Sequence, residues 1–461
     1  MQRLFAIAWL TWKAAFRFRL FLVIAVLLLA AVVGLPILIK DDGTARGFTQ
    51  ILLTYTLSVI TALLGLSTLW LACGTLARDI EECQMQMVAT KPIARWQIWL
   101  GKWLGIMSLN AALLALSGAC VYGLLQWRAS RLPAAEQTVL RQQVLVARGS
   151  AREASFSADI DADTERILQA RLKNSPVDKV DVPEVRKQIK EQVKADYQLV
   201  PSGIRRRWQI HLGFAKNFLR DKPLQLRVKF NTAQRNASGT FIAYWQVGVP
   251  ETARIWNSEP MSLAPDTFHE FQIPANLFDD QGVLTIDFIN PNDTALLFPL
   301  DEGMEVLYPE GGFTLNFARG LGIIFCWMAL LAALGLMAAS FLTFPVAAFF
   351  SLGIMMIVLS SGALAEAVEA GTITAGNSET GVMGHSMADL VLIPFFRGLL
   401  TVVNLIQNFS PVDALSSGRS ISWTELGAAF AQIVLLPGGI LGVIGILLFN
   451  RRELATAQGN Q

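Results

Sequence analysis

Five stretches of this 461-residue chain contain no Asp, Glu, Lys or Arg: 20–39, 51–77, 103–127, 320–365 and 426–450. A helix needs roughly 20 mostly apolar residues to cross about 30 Å of hydrocarbon, and each stretch is long enough. The fourth is about twice that length and carries Thr343-Phe344-Pro345 near its middle, so it reads as two helices joined by a tight turn. The pattern therefore predicts six spans. Histidine is scarce: His211, His269 and His385 lie far apart, without the His-Glu-x-x-His spacing of a metalloprotease. A glycine-rich phosphate loop ending in Gly-Lys-Ser/Thr is also missing, so the chain is not expected to be an enzyme or to bind a cofactor itself. Of the four cysteines, Cys73, Cys120 and Cys326 fall in predicted spans and Cys83 between two of them, which excludes a disulfide framework in the long insert. Ionisable residues inside the spans would suit a proton-coupled carrier, and the spans have none. The N-terminal apolar run is not followed by a small-residue cleavage pattern, so it is expected to be a retained span.

The charge that is present is unevenly placed. Arg3, Lys13, Arg17 and Arg19 precede the first span, Arg78, Lys91, Arg95 and Lys102 lie between the second and third, and Arg451 and Arg452 follow the last. Short basic segments stay inside, so both termini are expected in the cytoplasm of a bacterial cell, with the insert at about 128–319 outside the inner membrane. A hydrophobic content of 53% is too high for an ordinary soluble chain, and a net charge of +2 gives no reason to expect nucleic acid as a partner. Residues 1–19 have a helical period, with Leu4, Phe5, Ala8, Trp9, Trp12 and Phe16 on one face and Arg3, Lys13 and Arg17 toward another. This pattern suits a helix lying in the lipid headgroups; a simple topogenic anchor is the other reading.

The inner loop at 78–102 is the segment with the strongest functional pattern. Acidic residues, Glu81 and Glu82 among them, open it, and Met85, Met87 and Val88 give it an apolar side. After Thr90, Lys91-Pro92 breaks the helix ahead of a second, Trp-rich one containing Arg95. A short amphipathic helix at a membrane surface suits a groove on a partner. With Lys91-Pro92-Ile93, Arg95 and Gly101-Lys102, this run resembles the inner loop of type 2 ABC exporter permeases, especially those related to the nitrous-oxide-reductase maturation system. Asn408-Phe409-Ser410-Pro411-Val412-Asp413, Ile421-Ser422-Trp423 and Phe449-Asn450-Arg451-Arg452-Glu453-Leu454 look like the closing pattern of the same family. The resemblance covers roughly 1–127 and 315–454. It implies that the loop is a coupling helix docking on a separate ABC ATPase subunit, which would hold the ATP and magnesium. It also implies a second permease copy or a paralogue beside this chain.

The insert departs from the short connection found in many such permeases. Residues 128–200 are charged and helix-prone, clearest at 164–173 and 183–197. From Arg205 the period changes to two: Leu224, Leu226, Val228 and Phe230 alternate with polar residues, as do Leu284, Ile286 and Phe288. Further strands are expected at 207–212, 240–247 and 268–273. The expected fold is thus an α-helical polytopic membrane protein with six transmembrane helices. Its inserted extracytoplasmic α+β domain would hold an antiparallel β-sandwich at 201–314, similar to jelly-roll modules of the galactose-binding type. Tyr244, Trp245, Trp256 and His269 are candidates for a ligand surface that would take an extracytoplasmic protein or glycan, core positions being the other reading. Asp279 and Asp280 suit a solvated turn better than calcium. In the remainder, 315–461, spans four to six flank a segment at 366–425, where the apolar run 390–406 is broken by Pro394 and reads as re-entrant or interfacial. Two functions fit: an ABC permease subunit engaged in export or in mechanical work on a periplasmic partner, and a membrane-anchored binding or assembly module without an ATPase.

Overall fold

The computed structural model describes residues 2–17, 19–38, 44–82, 93–140, 144–174, 182–232, 234, 239–250, 252–370, 389–407 and 409–452. The chain divides into two compact units, one of Met1–Ala147 with Gly311–Gln461 and the other of Arg148–Glu310.

The first unit is helical. Among the described residues, Gly47–Glu81, Arg95–Ala129, Phe313–Ala339 and Trp423–Arg451 are long and apolar enough to cross a membrane, four where the charge-free runs predict six. Phe344–Leu359 has 16 residues, about 24 Å at 1.5 Å per residue, whereas Arg19–Leu38 has 20 residues, the length a crossing needs. The double-length run is interrupted by a turn after Ala339, and Pro345 opens the next helix, where its missing N–H costs nothing. The Trp-rich segment after the inner loop is not a separate helix: Arg95–Ala129 is continuous. The Asp389–Gln407 helix has 19 residues and holds Pro394 internally.

Small residues let these helices approach closely. A Cβ on Gly335 would lie 2.7 Å from the Ala72 Cβ and 3.0 Å from the Leu69 carbonyl oxygen. At Gly101 and Gly105 the same atom would meet Ile7 and Thr11 of the Gln2–Arg17 helix, each at 2.7 Å. Backbone proximity of this kind replaces the hydrophobic driving force that lipid removes. The Gln2–Arg17 helix consequently buries Ile7, Thr11 and Ala15 and leaves Phe5, Trp9, Leu10 and Phe16 exposed. Asn316 pins the entry to the last helix, donating to the Arg419 carbonyl at 2.7 Å and accepting from the Ile421 N–H at 2.7 Å.

The second unit is rich in antiparallel strands. One sheet has the order β1 (Val146–Ala151), β12 (Met304–Gly312), β4 (Leu224–Val228), β9 (His269–Ile273). Another has the order β3 (Arg205–His211), β10 (Val283–Ile289), β6 (Phe241–Gly248), β7 (Ile255–Asn257), with β8 (Met261–Leu263) also on β6. A small third sheet joins β2 (Leu199–Val200), β11 (Leu296–Leu297) and β5 (Asn231–Thr232). Alternation decides what is buried: Leu224, Leu226 and Val228 of β4, Trp208 and Ile210 of β3, and Leu284, Ile286 and Phe288 of β10 share one hydrophobic core. The helices Ser157–Asn174 and Val182–Gln198 pack through Ile160, Leu168, Ile189 and Val193.

Strand β1 lies in a stretch whose charge suggests helix, because its cation is paired rather than solvated. Arg148 is buried and donates to Glu270 Oε2 at 2.9 Å and to Gln225 Oε1 at 2.6 Å. Next to it, Glu305 of β12 is 2% exposed between Arg152 and Arg227.

Candidate functional site

The inner loop joins the helices Ala45–Glu81 and Arg95–Ala129, and its middle, including Met85, Met87, Val88, Thr90, Lys91 and Pro92, lies outside the described residues. Its two feet are described, and both are tied to other helix ends. An α-helix leaves its first N–H and last C=O groups without partners, so charged side chains at these positions act as caps.

On the first foot, the long helix runs through Glu81 and Glu82 is its C-cap. Glu81 Oε1 accepts from the Phe344 N–H at 2.8 Å, which caps the start of Phe344–Leu359. Arg78 lies over the Phe344 ring, 4.5 Å from its centroid. One turn deeper, the buried Lys102 Nζ donates to the Thr75 carbonyl at 2.7 Å and to Asp79 Oδ2 at 2.6 Å, joining the two feet directly.

The second foot is held by Arg95. Its Nη1 donates to the carbonyls of Phe449, Asn450 and Arg452 at 2.7, 2.8 and 2.8 Å, closing the C-terminal end of Gly439–Arg451. Arg452 continues the chain of contacts, its Nη1 donating to the Ala339 carbonyl at 3.1 Å beside the turn before Phe344. Burial pulls the Arg452 guanidinium below its ordinary value, and the Glu81 carboxylate partly offsets this. Behind Arg95, Trp99 is 2% exposed and fits against two glycines of the last helix: a Cβ on Gly445 would lie 2.9 Å from its Nε1, and one on Gly442 3.3 Å from its ring. The arrangement therefore brings Glu81 and Arg95 into one network of five helix ends, together with Arg78, Lys102 and Arg452, whose partners the sequence pattern does not reveal. A signal for Arg452 was present all the same, because a helix ending in free carbonyls calls for a cation and two arginines follow the last apolar run.

The aromatic candidates of the β-rich unit do not form one surface. Trp245 is 2% exposed, with its ring 4.8 Å from Phe288 and 6.2 Å from Trp208, so it belongs to the core. Tyr244 precedes it on β6 and is exposed on the opposite face of the strand. Trp256 stacks on Phe271 at 6.3 Å, at the edge of that core. His269 lies in the other sheet, its Nε2 within 2.8 Å of the Ala264 carbonyl and 3.0 Å of Thr267 Oγ1. The alternation Phe241, Ala243, Trp245, Val247 would have revealed the core position of Trp245. Asp279 accepts from the Val283 N–H at 2.8 Å, and Asp280 lies 3.1 Å from Arg220. Among the described residues no group of three His, Cys, Asp or Glu is placed to hold a metal.

Compared with protein-family models, with curated proteins and with solved structures, the chain has no match in any of the three.

Proposed function

We propose that this chain is the permease subunit of an ABC transporter, coupling ATP hydrolysis by a separate ATPase subunit to export or to mechanical work on an extracytoplasmic partner. The observation that carries the reading is the network at the inner end: both feet of the 83–92 loop are tied to the start of Phe344–Leu359 and to the end of the last helix. A push on that loop is therefore delivered to several helices at once, as transmission of an ATPase stroke requires.

In this reading Arg19–Leu38 and Phe344–Leu359 complete six crossings, both termini are cytoplasmic, and the membrane is the bacterial inner membrane. Asp389–Gln407 is re-entrant or interfacial, and the exposed aromatic face of Gln2–Arg17 lies among lipid headgroups. The Arg148–Glu310 unit is extracytoplasmic, with its two larger sheets stacked as a sandwich over their shared core. A second permease copy or a paralogue completes the membrane part. ATP and magnesium belong to the partner ATPase.

The test is a mild-detergent pull-down of the tagged chain, probed for a co-purifying nucleotide-binding subunit. The ATPase is expected with the wild type and absent with Met85→Asp/Met87→Asp. Capture by both chains equally would refute docking through this loop, and capture by neither in several detergents would favour the anchored binding module.

A further inference from the structure

The face of the β3–β10–β6–β7 sheet turned away from its core carries a recess of ≈ 270 Å³. Strand register builds its floor, setting Asp287 of β10 between Arg207 of β3 and Gln246 of β6. The Asp287 side chain is 7% exposed and is gripped by both prongs of Arg207, with Nε to Oδ1 at 2.8 Å and Nη2 to Oδ2 at 3.0 Å. Arg205 lies two residues along the same face of β3, 3.9 Å from Asp287 and with 51% of its side chain exposed. Its guanidinium borders the recess while Arg207 occupies the carboxylate. At the far end Gly248 has φ +151°, and the Ile255 Cα lies 2.8 Å from where a Cβ would stand, so backbone closes that wall.

We propose that this recess binds a carboxylate side chain from an acidic peptide segment of a partner protein, with Arg205 as the residue that grips it. Among the described lining residues two guanidinium groups face one carboxylate, an excess of positive charge, and a guanidinium fork matches a carboxylate in two parallel hydrogen bonds. None of the described lining residues is aromatic, so they offer a sugar ring no platform to stack on. The volume lies just under the range of about 300–1,000 Å³ usual for whole small-molecule ligands, and suits one or two side chains. Asp287 orients the site by holding Arg207 flat on the sheet. The proposal does not depend on the transport reading, since it requires only this sheet face.

Fluorescence anisotropy on the full chain in detergent, at low salt, tests it with labelled tetraglutamate and tetraglutamine peptides. Tetraglutamate is expected to bind at least about tenfold more tightly than tetraglutamine, as one charge-assisted bidentate contact allows. Arg205→Ala should remove that preference without changing the melting temperature, whereas Arg166→Ala, a highly exposed arginine on Ser157–Asn174, should keep it. Arg205→Lys should restore only part of it, because the fork is lost. Equal binding of the two peptides, an Arg205→Ala chain that still discriminates, or displacement of the peptide by a neutral oligosaccharide or by lower concentrations of inorganic phosphate would each overturn the proposal.

Discussion

Basic side chains find different partners in the two units. In the helical unit Arg95, Arg319 and Arg452 donate to main-chain carbonyls and Lys102 to one carbonyl and one carboxylate. In the β-rich unit Arg148, Arg152, Arg207 and Arg227 meet carboxylates on neighbouring strands. The difference follows from secondary structure. A helix satisfies its backbone internally except at its ends, so unpaired acceptors gather there and draw cations. A sheet pairs its backbone across strands, and a buried arginine must then find a side chain of opposite charge. These charges hold helix ends in place in the first unit and a sheet face in the second, where Arg206, donating to the Tyr197 carbonyl, and Lys216, donating to that of Asp280, are exceptions.

The largest effect is expected where a buried charge is removed from a ladder of ion pairs. Glu305 is 2% exposed between Arg152 and Arg227, and Glu305→Ala removes this carboxylate from both while Arg227 keeps Glu270 at 3.7 Å. Breaking a fully buried pair from one side costs about 3–5 kcal/mol, and with Arg152 36% exposed and Arg227 still beside Glu270 the shift in denaturant unfolding of the β-rich unit should fall toward the lower end, at about 3 kcal/mol. Combining Arg227→Met with Glu305→Leu should recover part of the loss, since the buried Arg227 charge goes with it, Glu270 keeps Arg148 and the side chain of Arg152 is 36% exposed to water. A double variant no better than the single would mean that the ladder is not an electrostatic unit.

A smaller effect is expected at the helix ends, where water can replace a lost cap. Arg95→Ala frees the carbonyls of Phe449, Asn450 and Arg452, at a cost of roughly 1–2 kcal/mol in a detergent melt. Hydrogen exchange should quicken in the last turn of Gly439–Arg451 and stay unchanged in the β-rich unit. Arg95→Lys should retain part of the stability, because the positive end charge survives while the geometry does not. A loss as large as that for Glu305→Ala would erase the distinction between the units.

The apolar helices and the alternating strands were readable in advance because each depends on a local period. The runs 51–77 and 103–127 became Ala45–Glu81 and Arg95–Ala129, and the alternation near Leu224 and Leu284 became β4 and β10. Strand β1 was not readable, since its buried Arg148 resembles a solvated residue until Glu270 and Gln225 are seen beside it. The length of Phe344–Leu359 was also hidden: absence of charge continues to residue 365, but the helix ends before Ser360 and restarts at Ser361. At the inner site the sequence marked the loop and its flanking charges, yet Arg95 and its acceptors at Phe449 are 354 positions apart and share no pattern.

The smallest predicted effect concerns a carboxylate that lacks the full pairing found elsewhere in the β-rich unit. Glu153 forms an isolated bridge with Ile210, and its Oε1 accepts from the Gln209 N–H at 3.4 Å. Burial pushes its pKa above the ordinary value of 4.5, against the opposing pull of the Gln209 N–H and Arg206. A folded-state value above the unfolded one means that the native state holds the proton more readily. The carboxyl's contribution is therefore most favourable below about pH 4 and is lost as pH rises through the raised value. Glu153→Gln removes the charge that burial penalises, so the variant should melt slightly higher than the wild type at about pH 7 and level with it at about pH 4. Taking the difference between the two chains cancels every other titrating group, and a gap that closes with rising pH would show Glu153 to be as well paired as Glu305.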